Sequence, residues 1–124
     1  MIGKIPVIAV IVLLCMNLAH AGLENEIAQQ QKKEEHLQAQ LEIQKKISAQ
    51  AYKDAAELVE DSIINREEQL NRLEAAQVIW DEFIDKTCLA ESLESIGTRA
   101  ERANKLQCMI NKHKEKEIFF KSLI

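Results

Sequence analysis

The chain has 124 residues and a formal net charge of −4, and only 4% of its residues are aromatic. This length accommodates one small domain, and a net negative charge without interleaved aromatic and basic residues argues against a nucleic-acid-binding protein. The composition has one proline and three glycines and is rich in Ala, Leu, Glu, Gln, Lys and Ile. It predicts an all-α fold, either a small helical bundle or an antiparallel helical hairpin, with a long N-terminal helix.

Residues 1–21 have the pattern of a secretory signal peptide. Lys4 provides a positive charge, an apolar run follows over residues 5–16, and Ala19 and Ala21 are the small residues that a cleavage site requires. The apolar run is shorter than the ~20 residues that a membrane-spanning helix needs. We therefore expect cleavage after Ala21, no membrane span in the mature chain, and a periplasmic or secreted protein.

Two other interpretations of this segment stay open. It could persist as an uncleaved anchor, or Cys15 could be acylated as in a lipoprotein. The lipoprotein pattern requires a small residue before the cysteine, and Leu14 stands there instead. The mature N-terminus, Gly22 or an acylated Cys15, distinguishes signal cleavage from lipid attachment.

Residues 22–60 predict one long, polar, amphipathic helix. The apolar positions of a heptad-like register are Leu23, Ile27, Leu37, Leu41, Ala51, Ala55 and Leu58. The same register is interrupted by Gln30, Glu34, Gln44 and Ser48. Such a helix lies along the rest of the chain or pairs with another copy, and the interruptions disfavour a strong coiled coil.

Residues 61–68 contain either a break or a continuation of this helix. Asn65 and Glu68 have the spacing of a capping box, which would begin a new helix. No glycine or proline forces the first helix to stop, so a continuous helix is an equal alternative.

The segment from about residue 70 to residue 95 predicts a second amphipathic helix. One face collects Leu73, Ala76, Gln77, Trp80, Phe83, Ile84, Thr87 and Cys88, which recur every three or four residues. The other side carries Glu74, Asp81, Glu82 and Asp85. We predict a structural core built on Leu73, Trp80, Phe83 and Ile84.

Gly97 predicts a turn into a third helix. Glycine accepts the left-handed backbone that ends helices, and Thr98 with Glu101 has the spacing of a capping box. The third helix should run from Arg99 to about Phe120. Its apolar face comprises Ala103, Leu106, Met109, Ile110, His113 and Phe120, whereas Cys108 and Phe119 fall off that face.

After signal cleavage, Cys88 and Cys108 are the cysteines that remain, and in an oxidising compartment two such thiols usually pair. An antiparallel hairpin about Gly97 places them within about 3 Å of the same height, at ~1.5 Å per residue. Two buried free thiols are the alternative. The pair does not form a recognised metal-ligand pattern with His36 and His113.

The charge distribution favours the same hairpin. Residues 57–94 contain eleven acidic and three basic residues, whereas residues 99–121 contain seven basic and three acidic ones. An antiparallel arrangement brings these opposite charges together.

No arrangement of residues predicts catalysis. The chain lacks a glycine-rich phosphate loop, and no nucleophile, base and acid are set out as in a known triad. We expect His36 to be exposed and His113 to be satisfied on the apolar face of its helix. The sequence thus predicts a protein that is not an enzyme and that needs neither a metal nor a cofactor.

The second helix and the hairpin carry a family resemblance. The series Leu73, Ala76-Gln77, Trp80, Phe83, Asp85 and Cys88, followed by Gly97 and Cys108, resembles exported lysozyme-inhibitor-like proteins of the LprI N-terminal-domain type. It covers roughly residues 61–121. This chain departs from the pattern at Ile84, where the family commonly has Arg, and at His113 and Lys116, where Thr and Arg are common.

The resemblance implies an exported helical binding protein of the cell envelope, with a lysozyme-type muramidase as its partner, which it inhibits. The expected organisation is a signal peptide over 1–21, a polar helix over 22–60 and a lysozyme-inhibitor-like domain over 61–124. The acidic stretch over residues 57–94 is the candidate contact surface, since lysozymes are basic. The alternative is a structural or assembly protein of the envelope that forms homo-oligomers through residues 22–60.

Overall fold

The computed structural model describes residue 3 and residues 7–124, with side chains for residues 3, 11, 12 and 14–124. Its elements are α1 (Val7–Glu60), α2 (Arg66–Glu91), a short 3-10 helix (Leu93–Ser95) and α3 (Glu101–Ser122). The described residues contain no β-strand, so the predicted all-α fold with a long N-terminal helix is confirmed. By their internal contacts, the residues form two units, Met1–Lys33 and Glu34–Ile124.

The first unit contains the beginning of α1. The predicted signal peptide lies partly outside the described residues, and its residues from Val7 onwards are helical. Cys15 is an exposed free thiol. Among the described residues, no helix combines the length and the apolar character needed to cross a membrane.

The second unit is a bundle of three helices, formed by the later part of α1 together with α2 and α3. The inward-facing stripe of α1 is buried and consists of Leu37, Leu41, Gln44, Ser48, Ala51 and Ala55. These positions are alternately four and three residues apart, as in the predicted heptad register. Two of the four polar residues that interrupt the register, Gln44 and Ser48, are thus part of the interior of the bundle.

The apolar core has three parts. Toward one end, α1 packs on α3 through Leu37, Leu41, Ala103, Leu106 and Ile110. Toward the other end, Ala51, Ala55, Leu73 and Phe120 bring all three helices together. Between α2 and α3, Ile84 packs on Cys88 and Cys108.

The disulfide predicted from the sequence is present. Cys88 of α2 and Cys108 of α3 are bonded, with their Cα atoms 5.5 Å apart. Both cysteines are buried. The bond therefore joins the two arms of the α2–α3 hairpin inside the core, which fixes α2 against α3.

A break separates α1 from α2, which decides between the two alternatives for residues 61–68. Asn65 adopts the left-handed conformation, with φ of 57°, which asparagine tolerates better than most residues. Its side chain makes no capping hydrogen bond, and Glu68 instead accepts a hydrogen bond from Arg72. The predicted capping box is therefore wrong at this position, although the new helix does start here.

The turn at Gly97 forms, with φ of 73°, but the predicted capping box is wrong. α3 begins at Glu101 rather than at Arg99. The Thr98 hydroxyl donates to the carbonyl of Ser95 at 2.6 Å, so it is not available to cap α3. Glu101 still reaches back, and its Oε2 accepts a hydrogen bond from the Gly97 N–H at 3.0 Å.

Leu73 and Ile84 are buried as core residues, whereas Phe83 is 45% exposed and Trp80 is only partly buried. Phe83 precedes Ile84 by one residue, which turns its side chain ~100° around the helix from that of Ile84 and away from the core. Its ring instead lies edge-on to Trp80, with the centroids 5.9 Å apart. The prediction of Phe83 as a core residue is thus wrong, and Trp80 lies at the rim of the core.

Candidate binding surface

The solvent-facing side of α2 is apolar along much of its length. Val78, Ile79, Phe83 and Leu89 are all exposed, with Ile79 at 62% and Val78 at 59%. Their separations of one, four and six residues keep them on one broad side of the helix, opposite Leu73 and Ile84. We call these four side chains the outer face of α2.

Shallow hollows indent the outer face. One of about 300 Å³ is lined by Ile79, Trp80 and Phe83. Another, of about 440 Å³, lies against Val78, Ile79 and Glu74. The surface therefore has relief into which apolar side chains of another molecule can fit.

An acidic edge borders this face on one side. Glu67, Glu74 and Asp81 are seven residues apart and Asp85 follows one turn later, so the four carboxylates share one side of α2. All four residues are exposed. Asp81 is paired with Lys116, whereas the other three make no ion pair within the described residues, so their charge is available to another molecule.

The middle of the outer face is electrically balanced. Lys86 donates a hydrogen bond to Glu82 at 2.8 Å. This bond, with the attraction between the two charges, lowers the pKa of Glu82 and raises the pKa of Lys86. The net negative charge of the surface therefore comes from the acidic edge.

A layer of polar side chains crosses the bundle beside this edge. The Ser48 hydroxyl of α1 donates to the carbonyl of Lys45 at 3.1 Å and lies 3.0 Å from Nδ1 of His113 on α3. Serine has a single hydroxyl proton, so when that proton is donated to Lys45, Nδ1 of the His113 ring is the donor to the Ser48 oxygen. Burial, and next the charge of Lys116, lower the pKa of His113, so the neutral ring is favoured.

Lys116 is the most deeply buried charge in the layer. Its side chain is 2% exposed, and its ammonium lies 2.8 Å from Oδ1 of Asp81 on α2. This ion pair across the hairpin agrees with the predicted pairing of acidic and basic helices. A buried ammonium needs such a partner because water cannot reach it to solvate the charge.

The structure brings some predicted site residues together and separates others. Cys88, Cys108 and Ile84 pack in one cluster, Trp80 bridges that cluster to Leu73, and Gly97 with Glu101 forms the turn. Within the described residues, no group of three or more His, Cys, Asp or Glu side chains is arranged to hold a metal ion. These residues, which the sequence predicted as core, disulfide and turn residues, lie on the inner side of α2 or at the turn, and the outer face is on the opposite side of α2.

Sequence reasoning missed the apolar part of this surface. It assigned the back of α2 to Glu74, Asp81, Glu82 and Asp85 alone. The signal was present, because Val78, Ile79 and Leu89 fall outside the three- and four-residue spacing of the buried side. Apolar residues that fall outside the buried stripe of an amphipathic helix predict an apolar patch on its exposed side.

The chain was compared with protein-family models, curated proteins and solved structures. No family model matches it, and no curated protein or solved structure gives a significant match.

Proposed function

We propose that the mature chain is an exported helical binding protein of the cell envelope that docks a basic protein, specifically a lysozyme-type muramidase, and inhibits it. The observation that carries this proposal is the outer face of α2, where exposed apolar side chains lie beside an acidic edge. The resemblance of roughly residues 61–121 to lysozyme-inhibitor-like proteins supplies the identity of the partner.

The apolar side chains provide the affinity in this proposal. Burial of one fully exposed aliphatic or aromatic side chain contributes roughly 1.5–3 kcal/mol. Val78, Ile79, Phe83 and Leu89 are each about half exposed or more. A partner that covers them gains several kcal/mol, which has to outweigh the loss of rigid-body freedom on association.

The acidic edge provides steering toward a basic partner. Unpaired carboxylates at Glu67, Glu74 and Asp85 attract a positively charged protein over roughly 10 Å at 0.1 M salt. Such attraction raises the association rate more than it raises the affinity. The proposal therefore predicts that binding slows as the salt concentration rises.

The disulfide supports the proposal by holding the surface in place. Cys88 lies on the same helix as the outer face and is bonded to α3. A helix that is already fixed loses little freedom when a partner binds, so more of the contact energy appears as affinity.

The test is an assay of cell-wall lysis with lysozymes of several classes and the purified mature protein. We expect slower lysis with at least one basic lysozyme, and a weaker effect at 0.5 M than at ~0.05 M salt. The double substitution Val78→Ser with Ile79→Ser should abolish the effect. Ile63→Ser is the matched control, because Ile63 is 99% exposed in the α1–α2 connection and lies off the outer face.

A second pair of variants separates charge from apolar contact. Glu67→Gln with Glu74→Gln removes two carboxylates of the acidic edge and should reduce the salt dependence of inhibition. If none of the lysozymes is slowed by the wild-type protein, the proposed inhibition is wrong. Equal inhibition by the wild-type and Val78→Ser, Ile79→Ser proteins would place the contact elsewhere.

Assembly through residues 22–60 has less support. The side chains from Leu37 to Ala55 that would form a seam between two copies are already buried within one chain. The apolar register positions that stay exposed are Leu23 and Ile27, each 39% exposed, and Leu58, which the sequence placed on the stripe but which is 52% exposed. Sedimentation of the mature protein at increasing concentration tests this alternative, since assembly requires the apparent mass to rise.

A further inference from the structure

One carboxylate lies directly against the disulfide. Oε2 of Glu91 is 3.0 Å from Sγ of Cys108. Because Cys108 is bonded to Cys88, its sulfur carries no proton, and this contact is therefore not a hydrogen bond. Glu91 thus places a negative charge beside a disulfide sulfur, and it is not one of the residues of the acidic edge.

The end of α2 holds Glu91 in this position. Glu91 is the last residue of α2 and follows Cys88 by three positions, so the two side chains lie on the same side of the helix. The backbone N–H of Ser92 donates to the carbonyl of Cys88 at 3.2 Å, and Ser92 is buried. The backbone that carries Glu91 is therefore fixed beside the disulfide.

The two cysteines differ in their access to solvent. Cys88 is 0% exposed, whereas Cys108 is 9% exposed, and the carboxylate in contact with Cys108 belongs to an exposed residue. A reagent that meets the folded protein can therefore approach the disulfide only at Cys108, beside the charge of Glu91.

Reduction of the bond by a thiol depends on this approach. A thiolate attacks Sγ of Cys108, forms a mixed disulfide with it and releases Cys88 as a thiolate. A second thiolate then attacks the reagent's sulfur in the mixed disulfide, which releases Cys108 as a thiolate and leaves the reagent as its own disulfide. Two reagent thiolates thus supply the two electrons, and the two cysteine thiolates take up protons from water.

We propose that Glu91 guards the Cys88–Cys108 disulfide electrostatically, so that the folded protein is reduced slowly by thiols and most slowly by anionic ones. Two like unit charges ~4 Å apart in water repel each other strongly enough to slow such a step roughly fivefold. A thiol with a second negative group meets more repulsion, and a thiol with an ammonium group meets less. The guard preserves the bond that fixes α2 against α3, and it does not depend on the proposed lysozyme contact.

The experiment follows reduction of the folded mature protein by three monothiols at about pH 8, each supplied at the same concentration of thiolate. 2-Mercaptoethanesulfonate carries an additional negative charge, 2-mercaptoethanol carries none, and cysteamine carries a positive charge. Free cysteines are trapped with iodoacetamide and counted by mass spectrometry over time. The rate should rise in proportion to the thiol concentration, with cysteamine the fastest reagent and the sulfonate the slowest.

Two substitutions make the test specific. Glu91→Gln removes the charge at nearly constant size and should speed reduction by 2-mercaptoethanol roughly fivefold, with a larger effect for the sulfonate and a smaller one for cysteamine. Glu94→Gln is the matched control, because Glu94 is an exposed carboxylate of the neighbouring 3-10 helix. It should change each rate by less than about twofold, since exposed charges further from the sulfur are screened.

The ratio of the cysteamine rate to the sulfonate rate separates charge from stability, because a less stable variant would be reduced faster by all three thiols alike. Three outcomes would overturn the proposal. The first is a rate that does not depend on the thiol concentration, which would mean that unfolding precedes attack. The second is the same ratio in the wild-type and Glu91→Gln proteins. The third is an equal effect of Glu91→Gln and Glu94→Gln, which would mean that the contact with the sulfur is not what slows reduction.

Discussion

Three aromatic residues of different burial give a graded test of the packing. Phe120 is fully buried, Trp80 is partly buried and Phe83 is 45% exposed. We predict that substitution by alanine destabilises the protein in that order, with Phe120→Ala the most costly and Phe83→Ala the least.

The magnitudes follow from what each ring contacts. Phe120 closes the cluster that joins all three helices and lies edge-on to Tyr52, with centroids 5.4 Å apart. Its removal leaves an enclosed cavity and should cost roughly 3–5 kcal/mol. Removal of the Phe83 ring leaves a site open to water and loses a contact with the Lys112 ammonium, which lies 5.9 Å from the ring centroid. We therefore expect Phe83→Ala to lower the free energy of unfolding by about 1–2 kcal/mol.

The assay is urea unfolding followed by circular dichroism, with the free energy of unfolding extrapolated to water. A difference of about 2 kcal/mol between Phe120→Ala and Phe83→Ala corresponds to ~30-fold in the unfolding equilibrium. For a domain of this size it also separates the melting temperatures by roughly 8–16 °C. Trp80→Ala should fall between the two.

Phe120 lies only two residues before the end of α3, at Ser122. A frayed helix end would make Phe120→Ala as mild as a surface substitution. Equal costs for Phe120→Ala and Phe83→Ala would therefore refute the packing described for the end of the bundle.

Three further predictions concern the disulfide, the polar layer and the turn at Gly97. Reduction of the Cys88–Cys108 bond should remove about 3 kcal/mol of stability through the regained freedom of the unfolded chain and lower the melting temperature by roughly 12–24 °C. An unchanged melting temperature would show that the bond does not stabilise the hairpin. Because the pKa of His113 is lowered in the folded state from its ordinary 6.5, the unfolded chain binds the proton more readily, so stability should be lost as the pH falls below about 6.5. His113→Asn keeps a donor toward Ser48 and should flatten the pH profile of the unfolding free energy below about pH 6.5. Identical profiles for the wild-type and variant proteins would argue against His113 as the source of this pH dependence. Gly97→Ala should cost about 1–2 kcal/mol because of the positive φ alone, since an added Cβ meets nothing within 4 Å; a neutral effect in urea unfolding would mean that the turn relaxes.

The helices and the disulfide could be predicted from the sequence because they depend on the local spacing of apolar residues, cysteines and glycine. Heptad spacing identified the buried stripe of α1, and Gly97 identified the turn that lets Cys88 meet Cys108. The spacing of Ile84 and Cys88 placed α2 against α3. Each of these inferences needed only the residue types and the pitch of a helix.

The polar layer could not be predicted, because it depends on how deeply residues far apart in the sequence are buried when the helices pack. Ser48 and His113 are 65 positions apart, and their hydrogen bond exists only because α1 packs on α3. Lys116 looked like a solvated residue in a mixed charge cluster, yet the hairpin buries it beside Asp81. Charge patterns alone do not reveal which lysine of a cluster lies on the inner side.

The placement of Phe83 failed for a related reason. A broad amphipathic face leaves its edge residues undecided, and only the angle at which α2 meets α3 determines which of them are covered. In the structure Ile84 and Cys88 are covered and Phe83 is left exposed. Val78, Ile79 and Leu89 are exposed together with Phe83, and these four side chains form the outer face of α2.

The most direct test of the central claim is calorimetric titration of a basic lysozyme with the mature protein. The outer face of α2 should give saturable one-to-one binding that is lost in Val78→Ser with Ile79→Ser and kept in Ile63→Ser. Binding should also weaken as salt rises. No heat of binding with the wild-type protein, or the same affinity in the outer-face variant, would contradict the claim.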